Sequence, residues 1–137
     1  MQTCSVTRGA GLALAALLAF GAGAEQKKLP DLKPEQSAEV KALIGNALTA
    51  KPEKARKVLV FYRTEGFVHG EAIVLGNEAF RIAAEQTKAF SVDFSEDYAA
   101  LKAENLAKYD ALALNNTTTL NTKANPFISP ALLSFVR

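Results

Sequence analysis

A short apolar run near the middle of the chain sets the expected fold class: Lys57-Val58-Leu59-Val60-Phe61-Tyr62. Most of its residues are β-branched or aromatic, which favours a strand. The run is almost continuously apolar instead of alternating between apolar and polar residues. That pattern is typical of a strand buried on both faces of a parallel sheet. The run therefore predicts the first, central strand of an α/β domain.

The segments that follow this run extend the α/β pattern. The predicted elements are a helix over 71–88, a strand near a sheet edge over 90–94, a short helix over 98–106 and a third strand over 109–114. Ser129 and Pro130 suit the N-cap and first position of a last helix. The alternation predicts a parallel, flavodoxin-like sheet with flanking helices and right-handed crossovers. Because such sheets usually have more strands, we expect a domain truncated after the third strand and its helix.

The long predicted helix has a defined apolar face. Its members are Ala72, Leu75, Ala79, Phe80, Ile82 and Ala83. The helical spacing places Glu78, Arg81 and Glu85 outside this face, where we expect them to be in contact with solvent. In the short helix that comes next, Leu101 and Leu106 are expected to face inward.

The N-terminal region predicts export. Arg8 gives a weakly positive start, residues 9–20 are apolar, and Ala22-Gly23-Ala24 fits a signal-peptide cleavage site. The apolar run is shorter than the roughly 20 residues that a membrane span needs, although a retained anchor is the alternative. We interpret residues 1–24 as a signal peptide, 25–55 as a linker with an N-terminal helix, and 56–137 as the domain. The mature chain is then expected to be periplasmic or extracellular, without contact to the membrane.

Composition narrows the classes of function. Hydrophobic residues are 49% of the chain, charged residues 22%, and the net charge is +2, so no basic footprint for nucleic acid is expected. Cys4, the only cysteine, lies in the predicted signal peptide, which leaves no thiol nucleophile and no cysteine-ligated metal in the mature chain. No G-x-G-x-x-G, no Gly-Lys-Ser/Thr and no G-x-S-x-G pattern occurs, which disfavours nucleotide cofactors and serine hydrolysis. We expect no cofactor and no metal; the sequence specifies no oligomeric state.

Two polar loops are the candidate site. In the strand order 2-1-3, the first and third strands are neighbours, and ligands of open α/β sheets bind beside the carboxyl ends of such strands. The candidate residues are Thr64, Gly66, Phe67 and His69 after the first strand, and Asn115, Asn116, Thr117 and Thr118 after the third. Amides and hydroxyls of this kind recognise hydroxylated ligands by neutral hydrogen bonds. The alternative is a turn that satisfies its own backbone.

His69 is the only histidine of the chain and lies close to the start of the long helix. It is interpreted as an acid, base or polar contact of the ligand; the alternative is a loop histidine that bonds only to its surroundings. Phe67 and Phe127 are candidate pocket walls, although Phe127 is more readily a core residue. The acidic residues Asp93, Glu96 and Asp97 are interpreted as a solvated turn.

Both loops resemble segments of a known family. Val58 to Phe61, followed by Thr64-Glu65-Gly66-Phe67-Val68-His69, resembles the opening strand and Gly-Phe-x-His loop of ThuA-like (trehalose-utilisation) proteins. The strand that begins with Tyr109-Asp110, with Asn115-Asn116-Thr117-Thr118 after it, resembles that family's Asn-Thr-Thr segment. The resemblance covers residues 56–137.

The resemblance implies a class I glutamine-amidotransferase-like fold, a role in the metabolism of trehalose or keto-sugars, and a small sugar as substrate. It does not imply a true glutamine amidotransferase. Family members continue into a glycine-rich strand and a further histidine-containing loop, which this chain lacks. Two readings therefore stay open: a sugar-processing or sugar-binding protein, and a non-catalytic interaction module with the same fold.

Overall fold

A computed structural model of the chain describes residues 28–44, 52–120 and 129–136. The predicted signal peptide, the end of the predicted N-terminal helix and Phe127 lie outside these residues. Within the described part, no helix is both long enough and apolar enough to cross a bilayer.

Helices and strands alternate in the predicted order. The elements are α1 (Pro34–Ile44), β1 (Lys57–Phe61), α2 (Gly70–Thr87), β2 (Ser91–Ser95), a 3₁₀ helix (Tyr98–Leu101), α3 (Ala103–Leu106), β3 (Ala111–Leu114) and α4 (Pro130–Phe135). The predicted helix over 98–106 is divided because Lys102 has an extended backbone, with ψ of 152°. As predicted, Ser129 caps α4: its Oγ accepts a hydrogen bond from the N–H of Leu132 at 3.2 Å, and Pro130 follows it.

The three strands form a parallel sheet in the order β2-β1-β3, which is the flavodoxin-like order that the sequence predicts. β1 pairs with β2 from Lys57 opposite Ser91, and with β3 from Val58 opposite Ala111. Leu59, Val60 and Phe61 are completely buried. β2 lies at an edge, as expected from its alternating sequence. The carboxyl ends of all three strands point to one rim of the sheet.

The two faces of the sheet are covered by different helices. The crossovers β1–β2 and β2–β3 run in opposite directions along the sheet, so two right-handed connections place α2 on one face and the 3₁₀ helix with α3 on the other. On the α3 face the buried core comprises Leu59, Phe61, Leu101, Leu106 and Leu120. This confirms the inward orientation predicted for Leu101 and Leu106. Leu132 and Phe135 of α4 pack against the same core.

The predicted faces of α2 are wrong in part, since α1 packs against this helix. Ile73 and Ala84 are buried together with Ile82, whereas Ala72 is exposed. Glu78, expected in solvent, is only 8% exposed.

Two neighbours compensate for the burial of the Glu78 carboxylate. The Arg81 guanidinium donates to Oε2 at 2.7 Å and to Oε1 at 2.5 Å, and the Ser37 hydroxyl of α1 donates to Oε1 as well. The hydrogen bonds from Arg81 hold the pKa of Glu78 below its ordinary value. Glu78 therefore links α1 to α2 as an ion.

Candidate functional site

The loops after β1 and β3 lie side by side at the rim of the sheet. The N–H of Glu65 donates to the carbonyl of Thr118 at 3.0 Å, and the Thr118 hydroxyl donates to the carbonyl of Phe67 at 3.1 Å. The hydroxyl of Thr64, which is 7% exposed, is hydrogen-bonded to that of Thr118. The predicted proximity of the two loops is thereby confirmed.

Gly66 allows this close approach. A Cβ atom built on Gly66 would lie 2.5 Å from Oγ1 of Thr119 and 3.0 Å from Oγ1 of Thr118. Real Cβ atoms do not come as close to another atom as the first of these distances. A side chain at this position would therefore force the threonine side chains of the second loop to move.

The loop after β3 contains two residues with left-handed backbones, Asn116 at φ 51° and Thr119 at φ 54°. Asparagine tolerates this region, whereas a β-branched threonine there is a genuine outlier. Strained backbones of this kind are found preferentially at functional sites. The strain is therefore consistent with a function at this rim.

Asn115 and Asn116 have different environments. Asn115 is 8% exposed, and its Nδ2 donates to the carbonyl of Ile73 at 2.8 Å and to Oδ1 of Asn77 at 2.9 Å. Asn116 is exposed, and its Nδ2 donates to Oδ1 of Asn115 at 2.7 Å. Of the two asparagines, only Asn116 has its side chain in contact with solvent.

His69 is the N-cap residue of α2, and its side chain makes no capping hydrogen bond. The imidazole is exposed and meets the ring of Phe67 edge-on, with 4.8 Å between the ring centroids. Phe67 itself is 73% exposed. The two side chains form an aromatic surface at the rim, on the side where the loops join.

His69 and Asn116 belong to the same end of the molecule. The His69 carbonyl accepts the N–H of Ile73 in the first turn of α2, while the Ile73 carbonyl accepts Nδ2 of Asn115, to which Asn116 is bonded. The predicted site residues are therefore assembled at one rim, with Thr117 half-buried between the two ends of its loop.

Sequence reasoning missed a half-buried polar cluster beneath the first loop. Arg63 Nε donates to Oε1 of Glu65 at 2.6 Å, and the Tyr98 hydroxyl lies 3.2 Å from the same oxygen and 3.1 Å from the Leu120 carbonyl. The guanidinium also lies over the Tyr98 ring, 5.2 Å from its centroid. Burial raises the pKa of the Tyr98 hydroxyl, with Glu65 adding to the effect.

The sequence does carry a signal for this cluster. Arg63 and Glu65 are two residues apart directly after a strand, and if the chain continued as a strand this spacing would place their side chains on the same side. What cannot be read from it is Tyr98, which approaches from the 3₁₀ helix. The cluster connects the first loop, through Glu65, to the 3₁₀ helix.

A separate groove of about 680 Å³ lies on the face of β2 that α2 does not cover. Asp93, one of the residues that line the groove, accepts hydrogen bonds from Lys57 Nζ at 2.7 Å and from the Tyr109 hydroxyl at 2.9 Å. The hydrogen bond from Lys57 lowers the pKa of Asp93. Asp97 caps the 3₁₀ helix by accepting the N–H of Ala99.

The acidic residues are exposed or half-buried, as the interpretation of a solvated turn expects, and Asp93 and Asp97 have structural partners in addition. Among the described residues, no group of three or more His, Cys, Asp or Glu side chains could hold a metal ion.

The chain has no detectable similarity to proteins of known family, function or structure. No family model, no curated protein and no solved structure matches this chain. The resemblance of the two loops to ThuA-like proteins is therefore carried by the quoted motifs alone.

Proposed function

We propose that this chain is an exported ThuA-like domain that binds a small sugar, of the trehalose or keto-sugar type, where the ends of β1 and β3 meet. The observation that carries the proposal is the hydrogen bond between the Glu65 N–H and the Thr118 carbonyl, which joins the two loops at this rim. Ligands of open parallel sheets bind at this position.

The exposed side chains at the rim have the chemistry that a sugar requires. A sugar ring has apolar C–H faces and a girdle of hydroxyls, so its site combines aromatic surface with a few polar groups. Phe67 and His69 supply the aromatic surface, and Asn116 supplies an amide that both donates and accepts. In this proposal Thr64, Asn115 and Thr118 hold the loops together, and His69 is the group that contacts a hydroxyl and transfers a proton if the sugar is processed.

Titration calorimetry with trehalose and with fructose tests the proposal. We expect binding by the mature chain, and a loss of affinity of about 10-fold for His69→Ala and for Asn116→Ala, the size of one good hydrogen bond. Glu85→Ala on the exposed side of α2 is the matched control and should bind as the unaltered chain does. Absence of binding to both sugars, or unchanged affinity in His69→Ala, would refute a sugar site at this rim.

A non-catalytic interaction module is the second candidate, and one observation favours it. Phe67 is 73% exposed beside threonine hydroxyls that already bond to one another, which suits contact with a partner surface as well as with a ligand. Under this alternative neither sugar binds, and Phe67→Ala weakens association with the partner protein without a change in fold.

Export is proposed on the pattern of residues 1–24. Mass spectrometry of the protein recovered from the periplasm or medium should find Glu25 as the first residue. A chain that stays in the cytoplasm with Met1 retained would contradict export.

A further inference from the structure

We infer that Asn115 is a positioning residue: its buried amide bridges β3 to α2 and so fixes the loop that carries Asn116 relative to the helix that begins at His69. This inference rests on the proposed function, because it explains how that rim is held. It also departs from the sequence-based expectation that Asn115 itself contacts the ligand.

The first step of the argument is the set of bonds that Asn115 makes. Its N–H continues the ladder by donating to the Phe61 carbonyl at 2.9 Å, so its backbone is held by β1. Its side chain is held by α2, through the Ile73 carbonyl and Asn77. One residue thus ties together β1, β3 and α2 at the height of the rim.

Gly76 supplies a second, independent observation. A Cβ atom at this position in α2 would lie 2.5, 2.6 and 2.8 Å from Oδ1, Nδ2 and Cγ of Asn115. Glycine is the poorest helix former after proline, so its presence inside a helix calls for a reason. The reason here is space: the Asn115 amide lies directly against the helix backbone at Gly76.

The bridge acts on the site through its neighbours. Oδ1 of Asn115 accepts Nδ2 of Asn116, so the exposed amide is oriented by the buried one. The Ile73 carbonyl that Asn115 holds is one helical turn from His69. Loss of the bridge therefore frees the loop after β3 from α2 and weakens its attachments to the first loop, among them the bond from the Glu65 N–H to the Thr118 carbonyl.

The Gly76–Asn115 contact allows a test that separates positioning from stability. Asn115→Ala removes the amide, Gly76→Ala forces a methyl group against it, and the double variant places that methyl in the vacated space while improving the helix. We expect each single variant to be less stable than the unaltered chain in urea, and the double variant to be more stable than either.

Hydrogen exchange of the Glu65 amide, measured on the mature chain, reads the junction of the loops directly and needs no ligand. We expect the Glu65 amide to exchange about 10-fold faster in Asn115→Ala than in the unaltered chain. The faster exchange should persist in the double variant, because that variant regains stability but still lacks the Asn115 amide. Affinity for trehalose should likewise fall about 10-fold and not recover. Asn105→Ala, which removes an amide-to-carbonyl bond on the other face of the sheet, is the matched control and should leave Glu65 exchange unchanged.

Two results would overturn the inference. Unchanged Glu65 exchange in Asn115→Ala would show that the amide does not hold the loops, whether or not a sugar binds. Recovery of trehalose affinity together with stability in the double variant would show that Asn115 serves stability alone. If the unaltered chain does not bind trehalose, the proposed function fails at that point, and Glu65 exchange still decides the role of Asn115.

Discussion

Thr119 holds a conformation that its own side chain disfavours. A β-branched residue with a φ of 54° brings its Cβ close to its own backbone, and the left-handed region costs roughly 1–2 kcal/mol in residues other than glycine. The Thr119 side chain lies directly against Gly66 of the first loop. The junction of the two loops is thus maintained against local strain.

Relief of this strain should stabilise the chain. We expect Thr119→Gly to raise the free energy of unfolding by up to about 1 kcal/mol, because relief of roughly 1–2 kcal/mol of strain exceeds the chain entropy that glycine adds to the unfolded state. Thr117→Gly is the matched control: its backbone φ is not positive, so the added chain entropy should lower stability by up to about 1 kcal/mol. Urea unfolding of both variants checks this. A less stable Thr119→Gly would mean that the threonine side chain contributes more than the strain costs.

A methyl group at position 66 should separate the loops. Gly66→Ala places a Cβ at 2.5 Å from Thr119 Oγ1, and we expect a loss of about 1–3 kcal/mol in the free energy of unfolding. Since the closest atom belongs to Thr119, the same substitution in a Thr119→Gly background should cost less. Equal costs in the two backgrounds, measured by urea unfolding, would place the conflict elsewhere.

At the scale of elements, α2 shows what periodicity predicts and what it misses. The sequence predicts this helix over 71–88, and the helix spans Gly70–Thr87, because its apolar spacing and the loop before it are local signals. The predicted buried face is wrong around Glu78, because the spacing of a helix shows how apolar each side is and not which partner covers it. A buried carboxylate is stable only with its partners in place, and Ser37 lies 41 residues away in the sequence.

The bond between α1 and α2 should weaken in acid. The pKa of Glu78 is lowered in the folded chain, so its ionised form stabilises the fold above its ordinary value of 4.5, and this contribution is lost as the pH falls through the lowered pKa. We expect Glu78→Gln to lower the free energy of unfolding by about 1–2 kcal/mol at neutral pH, a value reduced by the partial exposure of Arg81.

Urea unfolding of the Glu78→Gln variant from pH 7 down to pH 3 measures this loss. The difference between the unaltered chain and the variant should shrink below pH 4.5, where protonation removes the same charge. Glu85→Gln is the control, since Glu85 pairs with Arg81 at 2.5 Å but is 58% exposed, and its effect should stay within about 0.5 kcal/mol. A difference that is constant over this pH range would show that Glu78 acts through shape and not charge.

At the scale of the whole molecule, the sequence predicts those parts of the fold that follow from the apolar character of β1. The apolar run of β1 implies cover on both faces, and alternation of helices and strands then implies parallel neighbours and a common rim. The meeting of the two loops follows from this topology. The bridge from Asn115 to α2 does not, because no periodicity relates Gly76 to Asn115.

A core that shares one central strand should unfold as a unit. Ile82 of α2 is 3% exposed on one face of the sheet, whereas Tyr98 and Tyr109 pack against the core on the other face. The chain has no tryptophan, and two of its three tyrosines are Tyr98 and Tyr109, so its fluorescence reports largely on the face of the sheet that holds them. We expect Ile82→Val to lower stability by about 1 kcal/mol and to shift the unfolding transition seen by tyrosine fluorescence as much as the one seen by circular dichroism.

Leu43→Ala, at a side chain that is 86% exposed, is the control and should shift neither transition by more than about 0.5 kcal/mol. If the fluorescence transition stays in place while the circular dichroism transition moves, the two faces unfold separately. β1 would then not couple the two faces. The rim combines a loop after β1, a loop after β3 and, through Asn115, the helix α2, so one free energy of unfolding would not describe it. Coincident transitions mean that the two faces unfold together, so a substitution on either face also lowers the stability of the rim, and the effect of any site variant on binding must be measured at matched stability.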